Sequence, residues 1–106
     1  MPLYFAYGSN MDAGAFAARC PRARFLGRAR LARHRPELMA EGYLTIARDP
    51  ASVVHGALYD LPLADIPALD RYEDVARGLY VKIAQAVLRE GAGPVQALIY
   101  VGNGRG

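Results

Sequence analysis

Two short segments hold the residues most able to do chemistry. The first is Tyr7-Gly8-Ser9-Asn10, directly after the apolar run Leu3-Tyr4-Phe5-Ala6. A strand that opens into Gly-Ser-Asn and then into a helix leaves backbone N–H groups pointing outward beside a helix start. That arrangement suits a carboxylate or a carbonyl oxygen. Gly8 has no Cβ, so the backbone can approach a ligand closely. The second segment is Leu69-Asp70-Arg71-Tyr72-Glu73-Asp74-Val75. Glu73 stands at the expected C-terminal end of a helix, with Asp70 three residues before it on the same face. Like charges and partial burial both raise a carboxyl pKa, and a carboxyl near neutrality can take and return a proton at physiological pH. Taken alone, each segment has a plainer reading. The first is then a strand-to-helix turn capped by Asn10, and the second a solvated acidic helix end balanced by Arg71 and Arg77. Taken together, they read as an anion-holding loop and a carboxylate that moves a proton.

The other reactive residue types have weaker claims. Ser9 lacks the Gly-x-Ser-x-Gly elbow of a nucleophilic serine, and the histidines, His34 and His55, fall in strand contexts without an evident partner. Cys20 has Arg19 and Arg22 nearby but no base, which makes it a bystander. The seven tyrosines are many for this length. Tyr43, Tyr59, Tyr80 and Tyr100 are expected to pack the core edge with their hydroxyls at its rim, one or two of them reaching a pocket.

These residues need a scaffold, and the periodicity supplies one. Residues 2–7 read as a buried strand, and residues 12–19 as a short helix capped by Asn10 or Asp12 and stopped before Pro21. Residues 25–31 alternate, with Phe25, Gly27, Ala29 and Leu31 on one face and Arg24, Arg28 and Arg30 on the other, broken at Leu26. The phase slips by one at Arg33 and Arg35, which places a β-bulge near Leu31-Ala32. Residues 43–47 form a short strand, Asp49-Pro50 a turn, and residues 53–61 a further strand. Gly56 inside that strand marks a bulge or a close backbone approach. Residues 63–72 break the strand rhythm with Ile66, Leu69 and Tyr72 at helical spacing, Asp65 as cap and Pro67 in the first turn. Residues 78–89 and 94–101 form a hairpin about Glu90-Gly91-Ala92-Gly93, and residues 102–106 a loop or frayed end. The expected fold is α+β: a small mixed, largely antiparallel β-barrel or curved sheet with two short helices, built as a single domain over 1–106.

Composition narrows the function classes. The chain has 106 residues, a hydrophobic fraction of 53% and one cysteine. It can therefore bury one core, and it forms no internal disulfide and no multi-cysteine zinc site. It has no apolar run of membrane-spanning length and no signal-peptide pattern, so no membrane association is expected and the cytoplasm is the default location. The net charge is +3, yet Arg19, Arg22, Arg24, Arg28, Arg30, Arg33 and Arg35 crowd into one stretch. A basic stripe can bind nucleic acid. Without an accompanying motif it reads as a solvated strand face, and no nucleic-acid partner is expected.

The ordered motifs resemble the γ-glutamylcyclotransferase superfamily (AIG2-like). Leu3-Tyr4-Phe5-Ala6-Tyr7-Gly8-Ser9-Asn10-Met11 is similar to its N-terminal signature, and Arg28-Ala29-Arg30-Leu31 to its second strand. Leu44-Thr45-Ile46-Ala47 with Pro50, and then Val54-His55-Gly56-Ala57-Leu58-Tyr59, resemble its central segment. Leu69-Asp70-Arg71-Tyr72-Glu73 resembles the segment carrying the catalytic glutamate, and Gly78-Leu79-Tyr80-Val81 the strand after it. Two departures are Asp74, where the family often has glycine, and an end soon after Tyr100-Val101, where many relatives continue. The resemblance implies intramolecular aminolysis of a small γ-glutamyl substrate, releasing 5-oxoproline and an amine or amino acid, with no metal and no cofactor. It implies Glu73 as the catalytic residue, backbone amides of Gly8, Ser9 and Asn10 on the substrate's oxygens, Met11 beside them, and Tyr7 and Tyr80 lining the pocket. The alternative is a non-catalytic small-ligand binding module of the same fold. An exposed sheet edge at the shortened C-terminus is expected to offer a route to self-association.

Overall fold

The computed structural model describes residues 2–8 and 13–103. The chain runs β1 (Leu3–Ala6), α1 (Ala13–Arg19), β2 (Arg24–Leu38), β3 (Leu44–Asp60), a 3-10 turn (Leu63–Asp65), α2 (Ile66–Tyr72), a second 3-10 turn (Val75–Arg77), β4 (Tyr80–Arg89) and β5 (Pro94–Gly102). The five strands close into a barrel in the order β1-β3-β2-β4-β5. All pairs are antiparallel except β1 with β5, which meet in parallel at Tyr4 and Leu98. This is the small, largely antiparallel barrel with two short helices that the strand pattern predicts.

β1 shows why its sequence reads as an unbroken apolar run. Its two faces enter two different cores, so both must be apolar. Phe5 and Tyr7 face a cluster that includes Leu31, Leu58, Val87 and Ile99, the barrel filling. Tyr4 and Ala6 face the cluster that holds Phe16 of α1 and Leu69 of α2. The helices thus pack on the outer side of β1. Phe16 docks α1 with its ring centroid 5.6 Å from Tyr4 and 4.2 Å from Tyr59. Gly56 is required by close approach. A Cβ there would stand 2.4 Å from the Ala6 carbonyl oxygen and 2.7 Å from Cζ of Phe5.

Two expectations are corrected. The strands expected at 43–47 and 53–61 are one strand of 17 residues, and β2 is longer than expected, at 15 residues. The Asp49-Pro50 signal falls inside β3, where residues 49–52 stand opposite Arg33 alone between the pairs Ala32↔Val53 and His34↔Arg48. Asp49 organises this bulge by accepting hydrogen bonds from the Ala51 amide (3.1 Å) and the Ser52 hydroxyl (2.8 Å). Arg33 takes a positive φ of 64° there, so the phase slip read in the arginine pattern is a bulge one residue beyond its expected place. A second register shift lies between Phe25 and Gly27, and it leaves Phe25 exposed rather than on the inward face with Ala29 and Leu31. The second correction concerns the sheet edge expected beside the C-terminal strand. β5 lies between β4 and β1 in the closed order, so the parallel pairing occupies it.

The helix ends also differ in detail. Asp65 occupies the N-cap position of α2 but makes no capping side-chain bond. It is buried and accepts a hydrogen bond from Arg22 at 2.9 Å. The expected caps Asn10 and Asp12 lie outside the described residues. The arginine stripe is divided among local tasks: Arg22 pairs with Asp65, Arg24 reaches Asp60 at 3.5 Å, and Arg35 sits between Glu37 and Asp49. Among the described residues, no helix is long and apolar enough to cross a membrane.

Candidate active site

A cavity of ≈ 490 Å³ opens where four chain segments converge. The end of β1 contributes Tyr4, Phe5, Tyr7 and Gly8. The turn into β3 contributes Gly42, Tyr43 and Leu44. The end of α2 brings Tyr72, Glu73 and Asp74, and the starts and ends of the hairpin strands bring Leu79, Tyr80 and Tyr100. Its size and mixed lining suit a small ligand. Every tyrosine of the chain except Tyr59 lines it, so the tyrosine excess is a property of this cavity more than of the core edge.

Glu73 is placed by the way α2 ends. Leu69, fully buried, roots the helix in the core, and the Glu73 amide donates to the Leu69 carbonyl at 2.9 Å. Asp74 then takes a left-handed conformation with φ of 53°. That conformation favours glycine, so Asp74 holds it at some cost. The chain turns there, and Glu73 is left half-buried at the cavity wall.

Burial raises the Glu73 carboxyl from 4.5 to about 7, with the Arg19 guanidinium pulling the other way. The like-charge contribution expected from Asp70 is not what raises it. Asp70 is engaged elsewhere, accepting from Lys82 Nζ at 3.0 and 3.1 Å and from the Tyr100 hydroxyl at 2.6 Å. Nor do Arg71 and Arg77 act as the balancing cations. That part falls to Arg19 at the end of α1, whose guanidinium carbon lies 3.5 Å from the centroid of the Tyr72 ring. In sequence Arg19 belongs to the arginine stripe, and only the Arg19-Cys20-Pro21 helix stop marks it as different.

Three of the cavity tyrosines, Tyr7, Tyr80 and Tyr100, donate their hydroxyls to fixed partners. The Tyr7 hydroxyl donates to the Tyr100 carbonyl, tying β1 to β5, and burial pushes its phenol well above its ordinary value. The Tyr80 hydroxyl donates to the Leu44 carbonyl at 2.5 Å; burial first, then the charge of Glu73, push it up to about 12. Burial also raises Tyr100, with its hydrogen bond to Asp70 acting in the same direction. Gly8 lies at the lip. Its φ is not in the left-handed region, and a Cβ there would meet no atom of the described residues within 4 Å. Among the described residues, neither conformation nor packing demands glycine at this position, and Gly8 lines the cavity.

Of the residues singled out from the sequence, Tyr7, Gly8, Glu73 and Tyr80 therefore share one cavity. Ser9, Asn10 and Met11 lie outside the described residues. Cys20 is fully buried, and its thiol is pushed up to about 11, chiefly by burial; it is a packing residue, as expected of a bystander. His34 and His55 lie on β2 and β3, away from the cavity lining. Leu44 and Tyr72 are lining residues that the sequence pattern did not assign to a site, and of the four tyrosines expected at the core edge Tyr43, Tyr80 and Tyr100 line the cavity where one or two were expected.

Residues 4–105 match the family model described as γ-glutamyl cyclotransferase, AIG2-like. The chain belongs to this family. It is 33% identical to a γ-glutamylcyclotransferase of Bos taurus over 95 residues, covering 80% of this chain and 50% of that protein. A solved structure named γ-glutamyl cyclotransferase superposes with a TM-score of 0.88 at 27% identity, over 94% of this chain and 65% of that one. An uncharacterized protein from Homo sapiens gives a TM-score of 0.84 at 28% identity, over 93% and 64% of the two chains. The chain thus spans half the length of the curated relative and just under two thirds of these solved chains.

Proposed function

We propose that this protein is a γ-glutamyl cyclotransferase acting through Glu73. The observation that carries the reading is a half-buried carboxyl with a pKa of about 7, on the wall of a cavity of small-molecule size. Family membership supports the reaction type. In that reaction the α-amine of a γ-glutamyl group attacks its own γ-carbonyl carbon. The ring C–N bond forms, the exocyclic C–N bond breaks, and 5-oxoproline and a free amine result. Nucleophile and electrophile lie in one molecule, so the protein's tasks are to fold the substrate into a near-attack conformer and to move protons. Glu73 takes a proton from the attacking ammonium and returns one to the departing nitrogen. A carboxyl poised near 7 is matched to both transfers. Gly8, with Ser9 and Asn10 after it, offers backbone amides to the substrate's oxygens. Tyr7 and Tyr80 shape the pocket with their own hydroxyl protons committed to protein carbonyls. No metal or cofactor enters this scheme.

The test is 5-oxoproline release from a panel of γ-glutamyl compounds by wild type and Glu73→Gln. The expected result is turnover by wild type, rising with pH through about 7 as Glu73 ionises, and a loss of at least about 10²-fold in the variant. Full activity in Glu73→Gln overturns the assignment of the base. Absence of turnover in wild type, with ligand binding retained, favours the non-catalytic binding module.

A further inference from the structure

Glu73 is held in place by the helix that carries it. Among the described residues, no side-chain hydrogen bond and no ion pair reaches its carboxyl. The fixing of α2 therefore decides where that carboxyl points. α2 has seven residues, and its N-cap makes no side-chain bond. Leu69, fully buried, anchors one side of it. A single anchor leaves a helix of roughly two turns free to roll about its axis. Asp70, about 100° further round the helix, supplies a second anchor. It accepts from the Tyr100 hydroxyl at 2.6 Å and from Lys82 Nζ at 3.0 and 3.1 Å. Lys82 and Tyr100 stand directly opposite one another on β4 and β5, so their side chains leave the same face of the hairpin and grip one carboxylate. That grip is itself fixed. The Tyr100 carbonyl accepts from the Tyr7 hydroxyl, and the Tyr100 ring meets the Tyr4 ring edge-on at 5.9 Å.

We propose that Asp70 is a positioning residue for Glu73: by holding Tyr100 and Lys82 it fixes the roll of α2, and with it the place of the Glu73 carboxyl on the cavity wall. The proposal rests on the cyclotransferase reading for what Glu73 then does. Asp70 and Glu73 are three residues apart and share a face, so a roll of the helix moves both together. At the reach of a helical side chain, about 5–6 Å from the axis, about 10° of roll displaces a carboxyl by about 1 Å. A displacement of that size can cost about 10²-fold in rate. Of the two partners, the Tyr100 hydroxyl holds harder. Its bond to the carboxylate is short and charge-assisted. The Lys82–Asp70 pair is exposed by 30% and 32%, so water screens it. Asp70 does not line the cavity, and among the described residues it is not one of the charges that shift Glu73. The ionisable groups coupled to Glu73 are Arg19 of α1, Tyr7 just after β1, Tyr80 of β4 and Tyr100 of β5. Asp70 therefore acts on Glu73 through position and not through its own charge.

The experiment compares wild type, Asp70→Ala, Asp70→Asn and Tyr100→Phe by two readouts. One is 5-oxoproline release. The other is an NMR titration of the Glu73 side-chain carboxyl in the unliganded protein, its signal assigned by its loss in Glu73→Gln. Asp70→Asn keeps an oxygen for the Tyr100 hydroxyl and removes the charge. Tyr100→Phe keeps the charge and removes the bond. Asp70→Ala removes both. Asp70→Ala and Tyr100→Phe are expected to lower kcat by about ten-fold to 10²-fold. Asp70→Ala should leave KM within about two-fold, because a residue that only places the base adds nothing to ground-state binding. In both variants the Glu73 midpoint should fall from about 7 by about one pH unit, as the released carboxyl gains water. Asp70→Asn should stay within about three-fold of wild type in kcat, with the midpoint in place. An unmoved midpoint in Asp70→Ala and Tyr100→Phe, whatever their stability, overturns the proposal and leaves the reaction standing. A midpoint that moves in both Asp70 variants and not in Tyr100→Phe assigns the effect to charge and overturns it as well. If Asp70→Ala does not fold, the contrast between Asp70→Asn and Tyr100→Phe decides alone. Absence of turnover in wild type, with the midpoints moving as expected, overturns the cyclotransferase reading and leaves the positioning of Glu73 standing.

Discussion

Glu73→Gln is expected to stabilise the protein at alkaline pH while removing the proposed cyclotransferase activity. The carboxyl titrates at about 7 in the folded chain against 4.5 as its ordinary value. A carboxyl raised in this way is neutral and costs nothing below about 4.5. It destabilises the fold progressively as pH rises from 4.5 through 7, because the unfolded chain ionises first. The full cost is present above about pH 7. At about 1.4 kcal/mol per pH unit the difference has an upper bound of about 3 kcal/mol. Glu73 faces an open cavity, so water screens part of that cost, and about 1–2 kcal/mol is the expected remainder. Gln has nearly the same shape and no charge to desolvate. The assay is thermal or urea unfolding of both proteins from pH 4 to pH 9. Any fixed effect of the amide appears equally at pH 4, so the quantity of interest is the growth of the gap. By pH 8 the variant should have gained about 1–2 kcal/mol relative to its pH 4 offset, about 5–10 °C in Tm for a domain of this size. A gap that stays constant across the range, or that moves against the variant with rising pH, refutes burial as the origin of the Glu73 shift.

Asp70→Ala strands the Tyr100 hydroxyl and Lys82 at once and should cost about 1–3 kcal/mol in urea unfolding, with Asp70→Asn recovering most of it because the amide oxygen still accepts from Tyr100. Gly56→Ala drives a Cβ into backbone at 2.4 Å and should lower stability by at least about 2 kcal/mol. Gly102→Ala meets chiefly the end of the flexible Met39 side chain, at 2.8 Å, and should cost clearly less; equal losses in the two variants contradict the distinction between rigid and yielding neighbours.

Much of the fold was legible because its signals are local. The run at 3–6, the helical spacing of Ile66, Leu69 and Tyr72, the glycine turn at 90–93 and the phase slip near Arg33 all lie within a few residues of what they specify. They led to six strands and two helices in the right order, two of those strands being parts of the single β3, and to Gly8 and Glu73 as chemically able residues, while Tyr7 and Tyr80 came from the family resemblance; all four line the cavity. Asp49-Pro50 misled because a turn pair and a bulge within a strand present the same residues. The difference lies in β2, which runs alongside and keeps pairing on both sides of the bulge.

The sequence by itself determined the binary pattern, the order of elements and the residue types able to move a proton. Only the tertiary structure decided that β5 closes the barrel on β1, a pairing of Tyr4 with Leu98 across nearly the whole chain. It also decided that Arg19, not a nearer arginine, acts on Glu73, that Asp70 serves Lys82 and Tyr100, and that Tyr43 and Leu44 reach the cavity from a turn thirty residues away from Glu73. The physical reason is common to all of these. Propensity and periodicity act between near neighbours along the chain, whereas desolvation and Coulomb interactions depend on distance through space. A glutamate's pKa is therefore set by what the fold brings around it.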